Sequence, residues 1–234
     1  MICPLEWRIL AHRGKIYMKI LNLYCGIGGN RKLWGDGHKI TAVENIPEIA
    51  EVYKKFFPKD KVIVGDAHEY LLNHFKEFDF IWSSPPCPSH SGTNYFLQGQ
   101  GIFRYPDFRL WQEIIFLKYF CKTKYCIENV KSYYEPIYTP QKLGRHYYWA
   151  NFEIPFKKID YVQIGTWNRK SASKEAQRKA IIREAQIPEL TDLHGLDLTG
   201  IKLKNKRQIL RNCVLPEIGL YILKEAFRED RRLF

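Results

Sequence analysis

The sequence predicts an α/β protein, with a mostly parallel sheet, helices on both faces and a small basic appendage. Three observations predict it. Short apolar runs alternate with amphipathic segments across residues 18–155, the pattern of successive strand–helix–strand units joined by right-handed crossovers. The strand-like runs stop at glycines, acids or prolines, namely Gly26, Glu44, Asp66 and Pro85. Beyond the alternation, residues 156–211 hold 13 Lys and Arg against 6 Asp and Glu.

Residues 19–24 read as a buried strand that breaks at Cys25-Gly26-Ile27-Gly28-Gly29, with a helix expected from Asn30. Residues 39–44 form a second strand, and residues 46–56 carry apolar positions at helical spacing behind Pro47, a residue suited to a first helical turn. Residues 62–66 are a third strand, residues 70–75 a helix and residues 78–83 a fourth strand rich in aromatic and β-branched residues. Residues 89–101, rich in Gly, Ser and Gln, have the length of a functional lid. A helix over 109–120, a fifth strand over 125–130, aromatic β-structure over 144–152, an exposed basic helix over 171–186 and a closing helix over 215–227 complete the chain. The domain reading is an N-terminal extension (1–17), a catalytic and cofactor-binding domain (18–155), a basic target-recognition segment (156–206) and a segment returning to the catalytic domain (207–234).

With 234 residues, 45% of them hydrophobic, the chain is long enough to bury a full core and too apolar for disorder. No apolar run reaches the roughly 20 residues of a membrane span, and residues 1–17 lack the unbroken apolar core of a secretory signal. The six cysteines (3, 25, 87, 121, 126 and 213) show no CxxC pair, and neither they nor the seven histidines fall at zinc-ligand spacing. Free thiols in a reducing cytoplasm are expected, with no metal and no membrane partner. A net charge of +12 points to a polyanionic partner.

The chemistry gathers at strand ends. The glycine turn lets a ligand approach bare backbone. Glu44 lies 18 residues after Gly26, where an acid can accept from ribose hydroxyls, and Asp66 is placed to meet an adenine amino group. Two acids would repel a pyrophosphate, so a non-phosphorylated adenosine cofactor such as S-adenosylmethionine suits them; the same acids would equally serve as caps of the helices that follow. The diproline Pro85-Pro86 sets Cys87 on a stiff turn past the fourth strand, and Glu128 ends the fifth strand of the same sheet. A thiolate beside a protonated carboxyl is what attack on an electron-poor pyrimidine needs: sulfur adds and the acid holds the ring nitrogen where charge builds.

In the order of these motifs the sequence resembles the cytosine-C5 methyltransferases, over about residues 20–227 less much of 156–205. The resemblance implies a Rossmann-like S-adenosylmethionine-dependent methyltransferase fold. Residues 23–29 resemble the cofactor loop, with Tyr24 at the adenine and Gly26, Gly28 and Gly29 forming the turn. Glu44 and Asp66 match the ribose and adenine acids, Pro86-Cys87 the nucleophile motif, and Ser91 the serine four residues beyond it. Glu128-Asn129-Val130 is an intact ENV motif. Residues 141–147 resemble QxRxR, implying substrate roles for Gln141 and Arg145, and residues 207–214 resemble a closing segment whose Asn212 and Val214 line the cofactor pocket. Three departures stand out: Pro88 replaces a glutamine, Leu143 the first arginine of QxRxR, and Arg211 a glycine.

The resemblance implies a DNA cytosine-C5 methyltransferase in a bacterial or virus-infected cell. Cys87 would add to C6 of a flipped cytosine, Glu128 protonate N3, Asn129 orient the turn, and Gln98 or Gln100 of the lid fill the vacated space. Double-stranded DNA is the expected partner, with a further protein completing target recognition as an open option. The rival readings are a tRNA methyltransferase with the same cysteine and ENV motif, and a non-catalytic DNA-binding relative.

Overall fold

The computed structural model describes residues 17–160, 164 and 173–228. Residues 1–16 of the expected N-terminal extension, part of the basic segment and residues 229–234 lie outside the described residues. Seven strands form one sheet in the order β3-β2-β1-β4-β5-β7-β6. They are β1 (Lys19–Leu23), β2 (Lys39–Glu44), β3 (Lys61–Val64), β4 (Phe80–Ser83), β5 (Lys124–Val130), β6 (Gln141–Leu143) and β7 (His146–Ala150). The first five pair in parallel and the last two join antiparallel, so the mostly parallel sheet is as expected.

Side-chain alternation along the strands divides the core into two layers. Ile20, Ile40, Phe80, Trp82, Cys126 and Tyr148 face one way, against Ile218, Ile222 and Leu223 of the closing helix α8 (Pro216–Ala226). Leu21, Leu23, Val43, Ile81 and Ile127 face the other way, against α2 (Ala67–His74) and α4 (Arg109–Phe120). Full burial of β1 and β4 on both faces explains why their sequences read as continuous apolar runs.

The order of strands reverses between β1 and β4, so the turns that follow these two strands open a crevice at the carboxyl edge of the sheet. The expected helix at Asn30 is absent. Residues 28–34 instead form successive tight turns, Arg31 N donating to Gly28 O and Trp34 N to Arg31 O, before Gly35 takes a left-handed φ of 77°. The segment is too short for a stable helix, and Gly219 of α8 packs directly on the Asn30 backbone.

The expected appendage also differs. Leu190 of α6 (Ile187–His194), Leu196, Leu198 and Leu210 of α7 (Lys206–Arg211) share a core with Cys25, Ile27, Val52, Tyr53 and Phe57, the last three on or beside α1 (Pro47–Phe56). The described part of the basic segment is therefore built onto the glycine turn. Its basic helix is shorter than expected, α5 running Lys174–Ile181 before a 3-10 turn at Arg183–Gln186. The lid contains a helix that its composition did not announce, α3 (Asn94–Gln98).

Candidate active site

The turn after β1 is held in shape by its surroundings. Gly26 has φ 53°, and a Cβ there would meet nothing within 4 Å, so bare backbone faces open space. Gly28 and Gly29 are glycines for the opposite reason. A Cβ on Gly28 would lie 2.3 Å from the Phe57 ring, and one on Gly29 2.6 Å from Val214 O and 2.7 Å from Cys213 Cβ. The closing segment thus returns onto the cofactor turn at Val214, while Asn212 caps α7 and accepts from Gln208 Nε2 at 2.7 Å.

Glu44, at the end of β2, is buried. Its carboxylate accepts from Gly26 N at 3.0 Å and Ile46 N at 3.1 Å, which ties the glycine turn to the start of α1. Burial pushes its pKa up, and the Ile46 and Gly26 amides oppose the shift. Asp66 caps α2, accepting from Glu69 N at 3.1 Å, and pairs with Arg109 Nη1 at 2.9 Å. Capping and a rim position coexist here, because the two oxygens are used separately.

A residue the sequence reading overlooked organises this wall. Glu113 of α4 is fully buried and receives Tyr24 Oη at 2.5 Å, Ser83 Oγ at 2.7 Å and His68 Nδ1 at 3.2 Å. A buried carboxylate is tolerated only when so partnered. Its signal was an acid inside the apolar stripe Leu110, Ile114, Leu117 of α4. Tyr24 takes a φ of 53°, which turns its phenol onto Glu113 and holds the ring at the turn.

Cys87 follows β4, and its carbonyl accepts from His90 N at 3.0 Å and Ser91 N at 3.1 Å as the lid begins. Pro85 O accepts from Asn129 Nδ2 at 2.9 Å, while Asn129 Oδ1 takes the Val130 amide at 2.9 Å. This clamp joins the diproline turn, in which Pro86 is exposed, to β5. Ser83 pairs with Ile127 in register, so Glu128 and Cys87 both lie past that level, at one edge. Burial, then the charge of Glu128, pushes the Cys87 thiol up to about 11. The free side chain is therefore a thiol at neutral pH.

Glu128 is buried on β5 opposite Tyr148, and its Oε1 stands 3.4 Å from His146 Nε2. Arg145 occupies the β6–β7 turn; burial, then the charges of Arg207 and Arg145, pushes the half-buried Arg211 down. Gln141 takes a structural place: Nε2 donates to Phe152 O at 2.8 Å and Oε1 accepts from Ile154 N at 2.7 Å. Both ends of its amide thus fix the exit of β7.

In the lid, Ser91 lies on a bridge to Ser132, its hydroxyl 2.9 Å from Thr93 Oγ1. Gln98 ends α3 half-buried, and Gln100 is exposed in the turn after it. The base of the lid is fastened by His90 Nδ1 to Tyr134 Oη at 2.5 Å, Asn94 Nδ2 to Pro88 O at 2.9 Å and Tyr95 Oη to Tyr133 O at 2.5 Å.

The family model for C-5 cytosine-specific DNA methylase matches residues 18–137, more than half of the chain and inclusive of Cys87 and Glu128-Asn129-Val130. The chain belongs to the C-5 cytosine-specific DNA methylase family. No curated protein matches the sequence. Among solved structures it is similar to a mutant DNMT2 of Spodoptera frugiperda, at TM-score 0.57 and 18% identity over 89% of this chain and 99% of that one. It is also similar to the Entamoeba histolytica methyltransferase EhMeth, at TM-score 0.52 and 11% identity over 92% and 99%. These likenesses support the fold through the closing helix. As a member of this family the chain takes S-adenosylmethionine as cofactor, and the residues fit it. Open backbone stands at Gly26, Glu44 ends β2, and Asp66, paired with Arg109, follows β3.

Proposed function

We propose that this C-5 cytosine methyltransferase acts on double-stranded DNA, with Cys87 as nucleophile and Glu128 as general acid. The observation that carries the reading is geometric: Ser83 and Ile127 are in register, so Cys87 and Glu128, both past that level, share one partly buried edge of the sheet. Burial and then the Glu128 charge raise the thiol there. A flipped cytosine between them would meet sulfur at C6 and a carboxyl at N3.

Because the thiol is held up to about 11, Cys87 gives its proton to water only as the ring that takes the sulfur arrives. As the Sγ–C6 bond forms, Glu128 transfers a proton to N3, and the electron pair of the C5–C6 double bond moves to C5. When bound, S-adenosylmethionine supplies the methyl group that C5 accepts. Water then removes the C5 proton, Sγ leaves C6 with its bonding pair and takes a proton back from water, and N3 returns its proton to Glu128. Asn129 keeps the Pro85–Cys87 turn against β5 throughout, and Glu44, Asp66 and Tyr24 would hold the adenosine.

The DNA substrate for which the family is described and the net charge of +12 support duplex DNA. The test is methyl transfer from radiolabelled S-adenosylmethionine to duplex DNA and to RNA of the same sequence, with digestion to nucleosides. Label in 5-methyldeoxycytidine, lost in Cys87→Ala, is the expected result. Label confined to RNA would replace DNA by RNA, and no label in either would remove the activity.

A further inference from the structure

His146 has no part in the scheme above, yet its imidazole stands against the Glu128 carboxylate. It opens β7, in register with Val130, while Tyr148 is in register with Glu128. On a pleated pair this places His146 diagonally beside Glu128 on one face, within reach of a long side chain. The contact is 3.4 Å from Nε2 to Oε1, with the imidazole 26% and the carboxylate 9% exposed. Nδ1 is buried with no hydrogen-bond partner.

The chemistry leaves a role open at this spot. Glu128 must present a proton to N3, whereas a carboxylic acid of ordinary strength has lost its proton well below neutral pH. Other groups around it do not supply one. Cys87, from the turn after β4, and Cys126, two residues earlier on β5, are thiols whose proton affinity is raised. Tyr148 is a phenol, and Arg145 with Arg211 near it are guanidiniums that keep their protons. Among these described groups the imidazole is the one whose chemistry lets it both accept and release a proton readily.

We infer that His146 is the proton reservoir of Glu128, the two side chains holding one shared proton that Glu128 delivers to the cytosine ring. The inference rests on the proposed role of Glu128. In the addition step the O–H bond of Glu128 breaks as N3–H forms, and Nε2–H of His146 breaks as a new O–H forms on Glu128. On elimination N3 gives the proton back along the same path, so the pair ends each cycle loaded. The ion pair favours a proton on the imidazole. The unpartnered, buried Nδ1 opposes it, since its N–H would go without an acceptor in that state. These opposed effects keep the proton from being trapped on the ring. His146 is thus a positioning residue, acting through Glu128.

Two measurements test this. In single-turnover methyl transfer across pH 5.5 to 9, the thiol sets the acid-side limb and the shared proton the alkaline one. His146→Gln should move the alkaline limb to lower pH. Activity would then fall at pH 7.5 and recover toward wild type in acid. A uniform loss at every pH, or an unmoved limb, would overturn the inference, with calorimetric binding of S-adenosylmethionine confirming that the variant is folded. The second measurement needs no activity. The His146 imidazole, followed by NMR in the ligand-free protein, should titrate at lower pH in Glu128→Gln than in wild type. An unchanged midpoint would overturn the shared proton even in an active enzyme. A lowered midpoint in a protein that transfers no methyl group would keep the coupling and fail the proposed function instead.

Discussion

The two walls of the crevice are built differently. On the cofactor side every polar group named above is engaged: Glu44 with two amides, Glu113 with three side chains, Gly28 and Gly29 in contact too close for a Cβ. On the other side the lid is fastened through His90, Ser91, Asn94 and Tyr95, with Asp107 N donating to Ser89 Oγ and Tyr133 Oη to Arg104 O. Beside these ties Phe96, Phe103, Tyr105 and Phe108 are 62% to 82% exposed. One wall has its geometry before any ligand arrives. The other carries apolar surface whose free energy is realised only against a second molecule.

The largest effect should come from the pre-formed wall. Loss of a charge-assisted hydrogen bond costs about 1.5 to 3 kcal/mol, so Glu44→Ala should weaken S-adenosylmethionine binding roughly 10- to 150-fold by calorimetry. Because burial raises this pKa, affinity in the wild type should begin to fall on acidification at a higher pH than for an ordinary glutamate. Unchanged affinity in the variant would reduce Glu44 to a tie between Gly26 and Ile46.

A smaller contrast lies between two glycines. Gly29→Ala must displace Val214 or Cys213 and should cost about 1 to 3 kcal/mol by denaturant unfolding. Gly92→Ala, in the lid with nothing within 4 Å, should stay within about 0.5 kcal/mol of wild type. Equal costs would erase the difference between the walls. Smallest in stability should be Phe96→Ala, Phe103→Ala and Tyr105→Ala, each within about 0.5 kcal/mol. Their loss should appear instead in nucleic-acid affinity, at roughly 1 to 3 kcal/mol for each side chain that stacks on a base. A drop in stability would make the lid part of the core.

The same division marks what the sequence revealed. Strands, the α1 and α4 helices, the strand-end acids and the Cys87 and Glu128 positions were legible because period, punctuation and motif agreed locally. The packing of residues 187–211 onto Tyr53 and Phe57 was not legible, since Leu190, Leu196, Leu198 and Leu210 are scattered leucines whose common face exists only after the chain returns. His146 was hidden by its neighbours. Nothing in a run of aromatic residues says which side chain is the diagonal partner of a carboxylate one strand away. The structural use of Gln141 was hidden as well, because its motif marks the position and says nothing of the two bonds its amide makes at the β7 exit.

Covalent capture through Cys87 can be measured without turnover. With S-adenosylmethionine and duplex DNA carrying 5-fluorocytosine, fluorine at C5 cannot leave as a proton does, so the sulfur stays on C6. A protein–DNA adduct that survives denaturing electrophoresis in wild type and vanishes in Cys87→Ala is the expected result. An adduct of equal yield in Cys87→Ala would contradict the assignment of the nucleophile.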